Sequence, residues 1–199
     1  MTKICIADFG AGNIYSVKRA FERCGAKVSV SCAGEDFENA DGLVLPGDGN
    51  FGPASIAIGA FKEPLLEAVS SGKPFLGICA GMQLLFEGSD ESPHAEGLRL
   101  FDGRLTRFEK GLSCPQMGWN RLKSLKGGLF EGVLEGEWAY FIHSYKADFS
   151  QFASAACEYG RQFVAAIERG NVVATQFHPE KSAKTGKKIL RNFIRICRK

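Results

Sequence analysis

The sequence predicts an α/β fold built on a mainly parallel central sheet with added antiparallel strands. In the first half of the chain, short apolar runs alternate with helical patterns, which is typical of βαβ units and therefore of parallel strands. In the second half, apolar runs follow one another with glycines between them, a pattern typical of hairpins. The length of 199 residues allows one sizeable core, so we expect a single domain over residues 1–199.

The first half begins with a strand and continues with helices and strands in turn. Four short apolar runs predict buried strands, at residues 3–7, 28–30, 43–45 and 73–76. A helix with one apolar face is expected after the first strand, and a second helix near residues 54–69. Because sites in parallel sheets form where strands end, the turn at 46–52 and the residues after 76 are expected to share a site.

The second half begins with a polar loop at residues 89–97. Six apolar runs follow and are expected to be strands added to the sheet, at residues 98–100, 104–108, 139–142, 152–155, 163–167 and 172–176. The chain closes with a predicted helix over residues 185–197, where Ile189, Leu190 and Phe193 line one face.

The composition excludes several classes of protein. A net charge of +3 is too small for a nucleic-acid binder, and the basic residues after 180 fit the solvated face of the last helix. Seven scattered cysteines without a Cys-x-x-Cys pair argue against a disulfide framework and a zinc site, and favour a reducing compartment. No apolar run approaches the ~20 residues of a membrane span, and the chain enters a strand without a signal peptide. We therefore expect a cytoplasmic protein.

A cysteine between two glycines marks a sharp turn from strand to helix. Residues 77–81 are Gly-Ile-Cys-Ala-Gly, and helix formers follow at 82–86. This pattern is typical of a nucleophile elbow, in which free N–H groups at the helix start favour the thiolate and the N–H of Ala80 points to a developing oxyanion. Cys79 is therefore the predicted nucleophile. The alternative is a buried core cysteine at a strand end.

A cysteine nucleophile needs a base, and the base needs a group that orients it. His178 follows the last strand in the stretch His-Pro-Glu, where the proline stiffens the backbone and Glu180 can return to the imidazole. We predict that His178 is the base and Glu180 its partner, rather than a loop histidine beside an unrelated glutamate. His143 has no carboxylate as near, which favours a structural role, and His94 lies in the polar loop.

Together these motifs resemble those of the class-I glutamine amidotransferases, and more narrowly the glutaminase subunits of imidazole glycerol phosphate synthases of histidine biosynthesis. The resemblance covers nearly the whole chain. The cysteine elbow and the His-Pro-Glu turn mark the wider family. The stretches 117–120 (Met-Gly-Trp-Asn) and 141–145 (Phe-Ile-His-Ser-Tyr) point to the narrower group. The resemblance implies a flavodoxin-like three-layer sandwich.

The resemblance implies that Cys79, His178 and Glu180 form a triad. This triad would hydrolyse glutamine to glutamate and ammonia through a cysteinyl thioester. The other site residues that it implies hold the oxyanion or the glutamine, and they are Gly47, Gly49, Ala80, Gln83, Ser144 and Tyr145.

The resemblance also implies a partner, a cyclase subunit with a (β/α)₈ barrel that receives the ammonia in a heterodimer. Four residues match positions of the family that face this barrel, namely Asn13, Met117, Trp119 and Lys181. No cofactor and no metal ion is expected, since three separated histidines make a poor metal site.

The sequence departs from the family in the loop that supplies oxyanion donors. Asp48 stands where an apolar residue is usual, and a carboxylate facing the site would repel an oxyanion. We expect its side chain to point away from the site. Ala11 stands where the family often has proline, at the edge of the expected interface.

Three other functions compete with this interpretation. A glutaminase of the same fold could serve a different synthase, and it would share Cys79, His178 and Glu180. A cysteine peptidase or a thiol redox sensor could use a similar elbow, but it would leave Gln83 and Tyr145 without a role. A catalytically silent binding subunit would not need an intact triad.

Overall fold

The computed structural model describes residues 1–10, 12–148 and 150–198. In these ranges it contains six α-helices: α1 (Ile14–Arg23), α2 (Gly34–Asn39), α3 (Phe51–Ile58), α4 (Lys62–Ser70), α5 (Ala80–Gln83) and α6 (Ala183–Ile196). The strands are β1 (Lys3–Ala7), β2 (Lys27–Ser31), β3 (Gly42–Leu45), β4 (Phe75–Ile78), β5 (Gly88–Ser89), β6 (Ser92–Glu96), β7 (Arg104–Arg107), β8 (Gln116–Arg121), β9 (Trp138–His143), β10 (Tyr145–Lys146), β11 (Ala153–Tyr159), β12 (Arg161–Arg169) and β13 (Val172–Thr175). Ala11, where the sequence departs from the family, lies outside the described residues.

The central sheet has seven strands in the order β11-β12-β13-β4-β3-β1-β2. The five strands from β13 to β2 run parallel, and β11 and β12 extend the sheet in antiparallel pairing. The predicted α/β class, with a mainly parallel sheet and added antiparallel strands, is confirmed. The strands β4 and β13 are parallel neighbours, so the residues that follow them, near Cys79 and His178, lie at the same end of the sheet.

Each face of the sheet carries its own apolar core, because side chains alternate along a strand. On one face Ile4 and Ile6 pack with α1 and α6, where the rings of Phe21 and Phe193 meet edge to face at 6.1 Å. On the other face Cys5 packs with residues of α2 and α4. Helices thus cover both faces, which confirms the predicted three-layer sandwich.

The second half of the chain differs from the prediction in its sheet membership. The strands β5, β6, β7 and β10 form a separate four-stranded sheet, and β8 and β9 form a two-stranded sheet. The predicted polar loop at 89–97 contains β6, a mostly exposed edge strand. Its polar composition gives no apolar run from which a strand could be predicted. The apolar run at 98–100 is not a strand, because the N–H of Leu98 bonds the carbonyl of Leu84 at 2.7 Å and holds this segment against the end of α5.

The helical regions differ from the prediction at two places. The helix expected near 54–69 is divided into α3 and α4 by a 3₁₀ turn that begins at Gly59. The short α2 was not predicted, since one buried apolar residue, Phe37, gives no periodic pattern. None of the helices in the described ranges has both the length and the apolar character to cross a membrane.

Candidate active site

Cys79 occupies a strained turn between β4 and α5. Its backbone has φ 54° and ψ −110°, in the left-handed region that residues with a side chain rarely adopt. Its N–H donates to the carbonyl of Thr175 at 2.7 Å, which ties the turn to β13. This is the strand-to-helix geometry expected of a nucleophile elbow.

Glycines make room for this turn. A Cβ on Gly77 would lie 2.9 Å from the carbonyl oxygen of Gly81, and one on Gly81 would lie 1.9 Å from the carbonyl oxygen of Leu45. A Cβ on Gly47 would lie 2.5 Å from the nitrogen of Gly81. The loop after β3 therefore packs directly on the elbow, and a side chain at any of these three glycine positions would clash with neighbouring backbone.

The helix after Cys79 is shorter than the sequence suggested. The prediction carried it through residue 86, but α5 ends at Gln83, because the carbonyls of Leu84 and Leu85 accept bonds from the N–H groups of Leu98 and Phe101. A single turn has little macrodipole, so individual N–H groups rather than the helix as a whole are the donors available to an anion.

His178 and Glu180 form a buried pair just after β13. The Nδ1 atom of His178 lies 2.8 Å from Oε1 of Glu180, and the two side chains are 3% and 1% exposed. Because a carboxylate only accepts hydrogen bonds, Nδ1 carries the proton and Nε2 remains available. Nε2 is buried and makes no hydrogen bond of normal geometry within the described ranges.

Opposing effects set the pKa of His178. Burial lowers it, but hydrogen bonding and charge interactions with Cys79 and Glu180 outweigh burial and raise the pKa to about 10. Cys79 is thus close enough to His178 to act on its charge. The arrangement favours the imidazolium form of His178 beside the sulfur of Cys79.

Ser182 holds the turn that carries His178. Its hydroxyl donates to the carbonyl of His178 at 2.6 Å and accepts from the N–H of Tyr140 at 2.9 Å. The N–H of His178 in turn donates to the carbonyl of Tyr140 at 2.9 Å. The histidine is therefore anchored to β9 as well as to β13.

His143 lies near the site but is unsuited to act as the base. Its Nδ1 donates to the carbonyl of Tyr145 at 2.8 Å, and its ring packs among Phe108, Phe141 and Phe163. Burial, with a smaller effect of His178, lowers the pKa of His143 to about 4. The ring is neutral at physiological pH, which fits the predicted structural role.

A cavity of about 210 Å³ opens over Cys79. It is smaller than the about 300–1,000 Å³ of drug-sized ligand sites and suits a small substrate. Of the predicted residues, Gly49, Gln83, Ser144 and Tyr145 line it. A larger cavity of about 630 Å³ lies between α3 and β6, and none of the predicted residues lines that one.

Asp48 lies on the rim of the cavity over Cys79. Its side chain is exposed, and its Oδ1 accepts from the N–H of Gly49 at 3.1 Å. The carboxylate therefore turns back onto its own loop, but in doing so it occupies one of the predicted oxyanion donors. The Ala80 N–H belongs to the first turn of α5, where no intrahelical partner exists.

Sequence reasoning missed two residues of the site. Glu91 lines the cavity, and its Oε2 accepts from the N–H of Phe51 at 2.7 Å. No local signal marks Glu91, because the hairpin of β5 and β6 brings it there. Gln176 is fully buried beside Cys79, and its position directly after the strand that leads to His178 was a usable signal.

Three of the residues predicted to face a partner, Met117, Trp119 and Lys181, lie near the paired strands β8 and β9. Met117 and Trp119 are 62% and 50% exposed and lie on one face of β8. The ring of Trp119 packs on Tyr140, and the ammonium group of Lys181 lies 5.9 Å from the same ring. Asn13 instead caps α1, with its Oδ1 accepting from the N–H of Ser16.

Metal-binding side chains are not clustered in the parts of the chain that the structure describes, since no three His, Cys, Asp or Glu residues are grouped there. All seven cysteines are free thiols.

Comparison with known proteins gives a consistent result. The family model described as glutamine amidotransferase class-I matches residues 5–197. A protein named "Imidazole glycerol phosphate synthase subunit HisH" from Methanothermobacter thermautotrophicus is 46% identical over 197 residues, covering 98% of this chain and 99% of its own. A protein of the same name from Methanosarcina mazei is 44% identical over 202 residues, covering 99% of this chain and 100% of its own.

Solved structures share the fold at low sequence identity. PurLQS from Thermotoga maritima superposes with a TM-score of 0.76 at 19% identity, covering 98% of each chain. A structure described as a glutamine amidotransferase has a TM-score of 0.77 at 19% identity, covering 98% of this chain and 99% of its own.

Proposed function

Because this chain belongs to the class-I glutamine amidotransferase family, we propose that it is the glutaminase subunit of an imidazole glycerol phosphate synthase. In this role it hydrolyses glutamine to glutamate and ammonia, and it delivers the ammonia to a cyclase subunit in the cytoplasm. The observation that carries the proposal is the buried His178–Glu180 pair next to Cys79, which itself lines a cavity of a size that suits a small substrate.

The proposed reaction begins with the thiolate of Cys79. The sulfur attacks the side-chain carboxamide carbon of glutamine and forms a C–S bond, while the carbonyl π electrons move to the oxygen. The imidazolium of His178 gives its Nε2 proton to the nitrogen that leaves, so that the C–N bond breaks and ammonia departs. Glu180 keeps the ring oriented and stabilises its positive charge.

Hydrolysis completes the cycle. The neutral His178 takes a proton from a water molecule, whose oxygen attacks the thioester carbon. The C–S bond then breaks, glutamate leaves, and the thiolate of Cys79 is restored beside the imidazolium.

The oxyanion is held by backbone N–H groups in this proposal. The N–H of Ala80 is one donor, and a group of the loop at Gly47 and Gly49 is the second. The close packing of Gly47 on the elbow supports this pairing. Since Asp48 occupies the N–H of Gly49, the second donor becomes available only when that hydrogen bond is released.

The charged ends of glutamine need partners as well. The cavity is lined by Gln83, Ser144 and Tyr145, and also by the carboxylate of Glu91. A carboxylate suits the α-ammonium group of an amino acid. We therefore assign Glu91 to that group, and Gln83 and the Ser144–Tyr145 segment to the rest of the substrate.

The partner surface in this proposal is the exposed face of β8 and β9. Met117 and Trp119 project from β8, and Lys181 adds a positive charge beside Tyr140. Exposed aromatic and Met side chains are typical of protein interfaces.

The test is glutamate release from glutamine by the chain alone and in complex with the cyclase subunit and its ligand, with Cys79→Ala as the control. We expect strong release in the complex and a loss of at least ~1,000-fold in the variant. Release by the chain alone at the same rate would argue against the cyclase as the activating partner. No release by a folded, proven complex would overturn the proposed function.

A further inference from the structure

We propose that Gln176 is a positioning residue of the glutaminase reaction, because its amide links the sulfur of Cys79 to the side chain of Gln83. This inference rests on the proposed function and adds a residue to its site. Gln176 is fully buried, follows β13, and donates its backbone N–H to the carbonyl of Ala165 at 2.8 Å. Its position is therefore fixed by the sheet, while its side chain lies among the reacting groups.

A chain of donors and acceptors fixes the orientation of both amides. The Nε2 atom of Gln83 lies 3.2 Å from the carbonyl oxygen of Tyr145, which can only accept, so this end of Gln83 is its NH₂ group. The same Nε2 lies 3.1 Å from Gln176, and the atom it meets there must be the acceptor Oε1. The NH₂ group of Gln176 then points toward Sγ of Cys79, at 3.8 Å.

This orientation makes Gln176 selective for one protonation state of Cys79. A protonated thiol can donate to the carbonyl oxygen of Ile142, which lies 3.7 Å from Sγ. A thiolate has no hydrogen to give to that oxygen, but it can accept from the NH₂ group of Gln176. The sulfur of a neutral thiol is only a weak acceptor, so the NH₂ group bonds the thiolate more strongly and favours the charged form. Gln176 therefore helps His178 hold the sulfur in its reactive state.

The other end of the Gln176 amide, its Oε1 atom, affects how Gln83 can bind the substrate. Both N–H groups of Gln83 are used, by Tyr145 and by Gln176, so only Oε1 of Gln83 is left to bind another group. Gln83 lines the cavity over Cys79. An acceptor there suits a ligand group that presents N–H donors, and glutamine offers such donors on its carboxamide and on its α-ammonium group. Gln176 thus sets the polarity that Gln83 offers to the substrate.

The experiment measures alkylation of Cys79 by iodoacetamide as a function of pH, with the modified peptide quantified by mass spectrometry. The variants are Gln176→Met, which keeps the length without polar atoms, and Gln176→Asn, which is one carbon shorter. The control is Thr175→Val, because the Thr175 hydroxyl is equally buried and donates to the carbonyl of Phe177 at 2.9 Å without touching the sulfur.

We expect both Gln176 variants to alkylate about fivefold more slowly than the wild type at pH 7, with the pH profile moved to higher pH. The Thr175→Val profile should stay in place even if that variant is less stable. A Gln176→Asn or Gln176→Met profile that coincides with the wild type would overturn the inference. Because alkylation needs no turnover, this failure is distinct from that of the proposed function, which an inactive wild-type complex would reveal.

Discussion

At the scale of single residues, the site depends on how burial and charge compete at His178. Burial disfavours the imidazolium, and only the presence of Cys79 and Glu180 reverses this effect. A histidine whose pKa is raised on folding stabilises the folded state at pH values below its unfolded pKa of about 6.5. That contribution is lost as the pH rises through about 10.

The first prediction concerns this balance. In Cys79→Ala one of the two raising partners is gone while burial remains, so the pKa of His178 should fall. The stabilisation that the wild type retains between neutral and alkaline pH should shrink with it. Titration of the His178 ring by NMR measures the pKa directly. Cys157→Ala, which removes a thiol that is fully buried in the core, is the control. An unchanged pKa in Cys79→Ala would mean that Glu180 alone sets the charge of the ring.

A second residue-scale prediction concerns Asp48. From the sequence we expected a side chain that points away from the site, and the structure shows in addition that its carboxylate accepts from the N–H of Gly49. Asp48→Ala frees this donor, so glutamate release by the chain alone should rise at least about tenfold. Asp48→Asn keeps an acceptor for the N–H but removes the charge. A similar rise in both variants would assign the effect to charge instead of the hydrogen bond, and no rise in either would leave Asp48 without a role in the resting state.

At the scale of elements, the elbow is set by contacts between backbones. Gly81 lies so close to the carbonyl of Leu45 that a methyl group cannot be accommodated without moving β3 or α5. We therefore expect Gly81→Ala to destabilise the protein by about 2–3 kcal/mol or more in urea unfolding. Gly59→Ala is the matched control, since a Cβ there meets no atom within 4 Å and the backbone is helical. It should be neutral or stabilise by up to about 1 kcal/mol. Equal effects of the two substitutions would contradict the crowding argument.

The same contacts explain what the sequence could and could not predict. Periodicity located α1, α6 and the five parallel strands, because each buries a face or a whole run of apolar side chains. We could not predict which strands form the small sheets, since β5 pairs with β7 although β6 lies between them in the sequence. Edge strands such as β6 are polar, and long-range pairing leaves no local pattern.

The candidate site divides in the same way. Cys79, His178 and Glu180 were predictable, because each stands in a short motif with a mechanical reason. Glu91 was not, because it enters the cavity from a hairpin that the sequence suggested was a loop. Gln176 was predictable only in part. The motif of His178, two residues further on, was found, but the sequence does not show that the side chain of Gln176 reaches Cys79.

At the scale of the whole molecule, the strand β9 connects the candidate site with the exposed face of β8 and β9. The strand β9 carries Tyr140 toward that face, while its backbone holds His178 and Ser182 through hydrogen bonds. A partner that presses on Trp119 or Lys181 therefore contacts residues joined to the His178 turn. This connection gives a physical route by which partner binding could reach the glutaminase site.

The last prediction tests that surface. Trp119 is half exposed and rests on Tyr140, so a partner could bury its remaining area, and buried Trp side chains commonly dominate interface energies. Trp119→Ala should weaken binding to the cyclase subunit by at least about 30-fold, measured by calorimetric titration, because truncating such an anchor costs about 2 kcal/mol or more. Ile56→Ala is the control, since Ile56 is 80% exposed but lies on α3 beside β6. Equal affinities of Trp119→Ala and the wild type would move the interface elsewhere. Weaker binding of Ile56→Ala would place it near the cavity between α3 and β6.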